Sequence, residues 1–252
     1  MSVSRREALR LSGSALAGLS MGLLNGESVS AQAPTQPPAA AAPQTTPAPW
    51  PDQLVDRPRR EGFPVALPLN ADGSAPEHPA SAAGSIVDPP TLMWGTPDRK
   101  APQAEYDYKK LKVKVDTRGL AKLGGTLHFE DLAKLPLVSH TFLLQCGVKD
   151  PHGIVKWTGV RFSDFAKMLG IVPGVHYCRF VAADKKYNDE TMDTVMHPQV
   201  MLAWLMNDQP IPPTHGAPLR LIIPFRYGNR NIKAITEISF ATPGLPMPPL
   251  PG

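Results

Sequence analysis

Apolar and polar positions along this chain sort into short periodic runs. Leu111 to Val115 (Leu-Lys-Val-Lys-Val) alternates at period two and predicts a half-buried strand. Thr141 to Gln145 is nearly continuous in apolar character, the pattern of a buried strand. Tyr177 to Ala183 predicts another, with Cys178, Phe180 and Ala182 on one face. Helical spacing runs from Arg161 to Leu169: Phe162, Phe165, Ala166 and Leu169 share a side, Ser163 or Asp164 stands near the start, and Gly170 follows the last turn. Thr126 to Ala133 predicts a short helix opened by a Thr or Asp cap and stopped at Pro136. Met201 to Met206 runs into the turn pair Asn207-Asp208, and Leu219 to Ile223 and Ile232 to Phe240 predict two further strands. Short strands with inserted helices, without a repeating strand-helix-strand unit or an internal repeat, make the fold class α+β with a single domain.

Composition sets the boundaries. Thirty prolines in 252 residues are unevenly spread. Residues 34–90 are Ala, Pro, Gln, Thr and Ser with few large apolar side chains, which suits a linker or a surface-wrapped arm. The folded domain is then 91–242, and 243–252 reads as a Pro-rich tail. At the N-terminus, Ser4-Arg5-Arg6-Glu7-Ala8-Leu9-Arg10 precedes a Gly- and Ala-rich run from Leu11 to Leu24 and then Ala31-Gln32-Ala33. That is the order of a charged region, an apolar region and a cleavage site. The paired arginines resemble a twin-arginine export signal over residues 1–33, which predicts a periplasmic protein exported in folded form. A formal charge of +4 without an aromatic-interleaved basic stripe argues against nucleic acid as a partner.

Two places carry candidate chemistry. Cys146 ends an apolar run and opens the loop Gly147-Val148-Lys149-Asp150-Pro151-His152-Gly153, a setting for a metal-ligating or reactive thiol. Cys178 is the second cysteine of the chain; its period-two pattern gives it to the core, and a Cys146–Cys178 disulfide stays open as the alternative. Between His215 and Lys233, Arg220, Arg226, Arg230 and Lys233 surround a glycine turn. These side chains either cradle an anion or form a solvated set of strand-end charges. Neither a Gly-x-Gly-x-x-Gly nor a Walker A pattern is present, so a nucleotide is not indicated.

Read in order, Leu144-Gln145-Cys146, Trp157-Thr158-Gly159-Val160, Leu202 to Asn207, His215-Gly216-Ala217-Pro218-Leu219-Arg220 and Tyr227 to Lys233 resemble the molybdopterin-binding domain of the sulfite oxidase family. The likeness covers roughly Tyr106 to Phe240 and runs to the short exported branch that includes the catalytic subunit of protein-methionine-sulfoxide reductase. It implies a sulfite-oxidase-type fold and a molybdenum-molybdopterin cofactor with Cys146 as the protein thiolate on the metal. His215 and Arg220 would contact the pterin, and Asn231, Ile232 and Lys233, with Arg230 beside them, would form the phosphate-binding turn. Tyr187 lies where sulfite-oxidising members carry an active-site tyrosine. The implied reaction is two-electron oxygen-atom transfer on a small sulfur-containing or oxyanion substrate.

Departures from the family's pattern are specific. Where sulfite oxidases place arginines after the ligand cysteine, this chain has Val148, Lys149, Asp150 and Pro151, so Lys149 would substitute as a point charge, His152 would assist, and Asp150 would repel sulfite. The branch's Asn and Tyr-Glu cofactor contacts are not recognisable in Thr91 to Lys100. The chain ends soon after its last strand, so the family's dimerisation domain is not expected, and a monomer or a heteromer is. No Cys-x-x-Cys-His haem site occurs, so electrons would pass through a c-type cytochrome or a membrane quinone-linked haem subunit. Two other readings stay open: an exported binding module that keeps the fold without the cofactor, and a disulfide-bonded structural protein.

Overall fold

The computed structural model describes residues 62–89 and 94–242, which fall in one compact unit. The expected signal peptide, the Pro/Ala-rich segment up to residue 61, residues 90–93 and the tail lie outside the described residues. No described helix is long and apolar enough to cross a membrane.

In chain order the elements are β1 (Lys112–Asp116), β2 (Gly125–His128), α1 (Phe129–Leu132), β3 (Leu137–Gln145), β4 (His152–Arg161), α2 (Phe162–Leu169) and β5 (Tyr177–Ala182). They continue with β6 (Tyr187–Thr191), α3 (Met192–Val195), β7 (Met201–Met206), β8 (Gln209–Pro210), β9 (Arg220–Ile222) and β10 (Ile235–Ala241). One sheet has the order β2-β1-β10-β5-β6, with β1 and β10 parallel; the other runs β3-β4-β7-β8, with β9 also on β7. This is the mixed α+β architecture that the sequence pattern predicts.

The strand patterns follow from what covers each face. β1 buries Val113 and Val115 and exposes Lys112 and Lys114, so it alternates. β7 is apolar throughout because both of its faces are covered. Leu202 and Trp204 join Val113, Phe180, Ile238 and Leu221 in the core between the sheets, while Met201 and Ala203 join Leu144, Val155, Trp157 and Ile222 on the far face. α2 buries Phe162, Phe165, Ala166 and Leu169 and ends at Gly170, whose φ of 66° closes the last turn.

Three elements differ from the pattern's prediction. The helix expected over 126–133 is a strand up to His128 and a single turn after it, because Leu127 and Thr126 pair with Val113 and Lys114 along the edge of β1. β4 carries no period in the sequence, and its first two residues fall in the loop that follows Cys146, because its glycines interrupt the alternation. A Cβ at Gly159 would lie 2.0 Å from the Leu202 carbonyl, at the point where the β4–β7 register shifts. β6 is polar because Asn188 and Glu190 face side chains and carbonyls of the 228–231 loop rather than an apolar layer.

Residues 62–89 run against the domain. Gly84 N–H donates to the Ile154 carbonyl at 2.9 Å, and Val87 and His152 exchange N–H···O=C bonds of 2.8 and 3.1 Å. This arm thereby pairs with the first half of β4, the part that β7, which begins its pairing at Trp157, leaves uncovered.

Candidate cofactor site

Cys146 follows β3 by one residue and is half-buried. In the strand's alternation it continues the face of Phe142 and Leu144, the face on which Val155, Trp157, Ala203 and Arg220 pair across the sheet. Its loop is held by backbone groups. The Cys146 N–H donates to the Pro151 carbonyl at 3.0 Å. The buried Gln145 amide donates to the carbonyls of Cys146, Val148 and Lys149 at 2.9, 3.0 and 3.3 Å. The arm closes the outside: Val65 N–H donates to the Gly147 carbonyl at 3.0 Å, and the Tyr227 hydroxyl donates to Val65 O at 2.8 Å. The Lys149 side chain is exposed, and its carbonyl and the Asp150 carboxylate both meet His152 Nδ1, at 3.1 and 3.0 Å.

The second half of the site is cationic and buried. Arg220 is 2% exposed at the start of β9; its Nη1 donates to the His215 carbonyl at 2.7 Å and its guanidinium lies 5.1 Å from the Trp157 ring. Burial pulls its pKa down to about 10. Lys233 Nζ donates to Thr214 O at 2.9 Å and sits 5.0 Å from the Trp94 ring, and burial, reinforced by Arg220, pulls it down to about 8. His215 is lowered by burial, with Asp88 at 3.2 Å acting in the opposite sense. A Cβ at Gly216, φ 107°, would lie 2.8 Å from Lys233 Cβ, so only glycine lets the two segments close on each other.

Among the described residues, two buried donors here have no partner, Arg220 Nε and Trp94 Nε1. Buried N–H groups are nearly always paired, so the pair of orphans marks a place that an acceptor-rich anion would satisfy. A half-buried free thiol is a soft donor of the kind that suits molybdenum. The donor set fits a pterin cofactor that carries a phosphate and a metal.

The two halves meet through the arm. Val87 pairs with His152 of the thiol loop, and the next residue, Asp88, contacts His215. The arm thus links the loop of Cys146, through Val87 and His152, to the cluster of His215, Arg220 and Lys233, through Asp88. The structure commits other candidates elsewhere. Arg230 donates to Glu190 at 2.8 Å and to the Asp189 carbonyl at 2.6 Å, clamping β6 to the loop. Asn231 Oδ1 accepts the Ile223 N–H at 2.5 Å, and Ile232 is buried with its carbonyl on Leu221 N–H at 3.0 Å, so both shape the turn that presents Lys233. Tyr187 shares the β6 face of Asp189, opposite that of Asn188 and Glu190, and its ring lies 4.3 Å from the Arg179 guanidinium. The cysteines are unbonded: Cys178 lies in the core of the other sheet. Asp88, Trp94 and Asn188 were not singled out by the sequence; Asp88 lies in the Pro/Ala-rich stretch and carries no local signal.

Comparison with known proteins bears on the family and the fold. The chain is 28% identical over 164 residues to the protein-methionine-sulfoxide reductase catalytic subunit of Campylobacter jejuni, covering 58% of this chain and 55% of that one. It is 31% identical over 142 residues to a putative protein-methionine-sulfoxide reductase subunit of Azospira oryzae, covering 56% and 53%. The chain therefore spans about half the length of these curated relatives. The sulfane dehydrogenase SoxCD structure from Paracoccus pantotrophus shares the fold, with a TM-score of 0.50 and 18% identity over 77% of this chain and 57% of that one. The model of the oxidoreductase molybdopterin binding domain matches residues 100–244, more than half of the sequence, and the chain belongs to that family, on the sulfite-oxidase-type fold.

Proposed function

We propose that this domain holds molybdenum-molybdopterin through the Cys146 thiolate and the His215–Arg220–Lys233 cluster. It catalyses two-electron oxygen-atom transfer on a small sulfur-containing substrate. When bound, the cofactor supplies the metal-centred redox chemistry. The protein's share is positional: Gln145 and Pro151 fix the loop that carries the thiol, and Arg220 and Trp94 offer donors to acceptors on the cofactor. The single observation that carries the reading is a buried arginine whose Nε finds no partner among the described residues, in a cluster that the arm joins to the loop of a half-buried thiol.

Substrate charge is the finer point. The Asp150 carboxylate is occupied by His152 at 3.0 Å, so the loop offers an oxyanion only the exposed Lys149 in place of a set of arginines. An uncharged sulfoxide therefore suits this mouth better than sulfite, in line with the reductase relatives. Electrons exchange through a separate redox partner, a c-type cytochrome or a membrane quinone-linked haem subunit, after export by the twin-arginine route to the periplasm.

The test is molybdenum content by mass spectrometry on protein from a molybdopterin-synthesising host, followed by a screen of sulfoxides and sulfite with artificial electron donors and acceptors. Near-stoichiometric metal that Cys146→Ser removes is the expected result. Metal-free parent protein would return the chain to a binding module.

A further inference from the structure

The cation cluster already contains an anion, and it comes from the arm. Asp88 Oδ2 lies 3.2 Å from His215 Nε2, and this one carboxylate acts electrostatically on His215, Arg220 and Lys233 alike. The other charges facing the cluster are Lys186 and Asp184, both of which act on Lys233; Asp184 is also tied to the Gly95 N–H at 2.6 Å. Asp88 is not deeply seated: its side chain keeps 32% of its exposure, and among the described residues the arm from 84 to 88 is fastened by four hydrogen bonds. Gly84 donates to the Ile154 carbonyl, Val87 and His152 exchange two bonds, and Asn207 Nδ2 donates to Gly84 O at 2.7 Å.

A phosphate monoester brings about two negative charges and three strong acceptors, where Asp88 brings one charge and two oxygens. Both anions would compete for the same His215 N–H and the same two cations, and holding them side by side costs like-charge repulsion in a partly desolvated place. We propose that Asp88 is an internal stand-in for the cofactor's phosphate, and that residues 84–88 form a strap which the arriving phosphate displaces. This rests on the cofactor reading above, since it names how that site is kept before loading. The strap also makes loading visible at the thiol: when Asp88 leaves His215, the Val87–His152 pairing beside Cys146 loosens with it.

The experiment uses the full chain from a host that makes no molybdopterin, with inorganic phosphate as the probe. Calorimetry reads phosphate affinity, and hydrogen exchange reads the amides of Gly84 and Val87. Saturating phosphate is expected to speed exchange of both amides at least severalfold while β3 amides stay unchanged. Asp88→Asn is expected to bind phosphate about tenfold more tightly, the size expected from removing one nearby charge in a medium of intermediate dielectric. Asp193→Asn, the same charge change at an exposed position of α3, should bind as the parent does. Unchanged amide exchange at saturation, or weaker phosphate binding in Asp88→Asn, would overturn the strap and make Asp88 a brace for His215. Molybdenum content in the competent host separates the two ideas. Loaded metal with an immobile strap sinks this inference alone, whereas a phosphate-released strap in a chain that never takes molybdenum sinks the cofactor reading and leaves a site for another phosphate-bearing ligand.

Discussion

Cys146 and Cys178 carry the same side chain into opposite surroundings. Cys178 sits on β5 beside Phe180 with no exposure, and burial, with Asp189 and Glu190 nearby, pushes its thiol well above the usual range. Such a thiol stays protonated and serves as a small apolar filler. Cys146 stands one residue past the end of its strand, in a loop held by carbonyls and amides rather than by packing. The difference teaches where chemistry can be placed: a core layer fixes a side chain by excluding everything else, whereas a strand end can fix the backbone and leave the side chain available.

The sharpest way to break that contrast is to exchange the sulfur for oxygen at each position. Cys146→Ser is expected to lose essentially all molybdenum while changing stability by less than about 0.5 kcal/mol, as a half-exposed position allows. Metal analysis and denaturant unfolding check it. A mutant that kept its metal would remove Cys146 from the site.

The cationic half offers the next contrast. Arg220→Lys, which gives up the stacked fork over Trp157, is expected to cut molybdenum retention by about 10–100-fold. Arg230→Lys loosens the clamp on Glu190 and should alter retention by less than about threefold while costing about 1 kcal/mol of stability. Equal losses of metal from the two variants would mean that Arg230 also reaches the cofactor.

Cys178→Ser should mirror the first mutant, with metal per folded molecule retained but stability reduced by about 1–3 kcal/mol, because a hydroxyl enters a dry layer without a partner.

The smallest expected effect is a pH slope. Lys233 falls to about 8 in the folded protein from an ordinary 10.5, so between those values the unfolded chain holds more protons. Stability of the cofactor-free protein therefore rises with pH across that window, and the contribution of Lys233 is lost as pH falls through about 8. Lys233→Met should flatten the slope in denaturant titrations taken across the same range.

Much of the fold was legible in the pattern. α2 and β5 fall where Phe162, Phe165, Ala166 and Leu169, and then Cys178, Phe180 and Ala182, place them, because one buried face imposes one period. Elements whose periodicity is masked were not legible. β4 breaks its alternation at Gly153 and Gly159, where neighbouring backbone approaches too closely for a side chain, and β6 carries polar residues because its partner is a loop. Of the candidate site, the sequence nominates the pieces whose residues lie near one another along the chain, Cys146 and the run from His215 to Lys233. The roles of Asp88 and Trp94 could not, because each is made by contact with residues more than a hundred positions away.

The sequence by itself determined which residue types the chemistry would use, since thiolate softness and buried positive charge belong to the side chains wherever they fall. It also determined the α+β character, because period and length are local. Only the tertiary structure decided which cations stay unspent. Arg230 and Arg220 look alike along the chain, yet Glu190 takes up the first, while the second is buried against Trp157 with an Nε that nothing in the described fold satisfies. That distinction depends on which partners the two sheets bring within hydrogen-bond reach, a property of the packed whole.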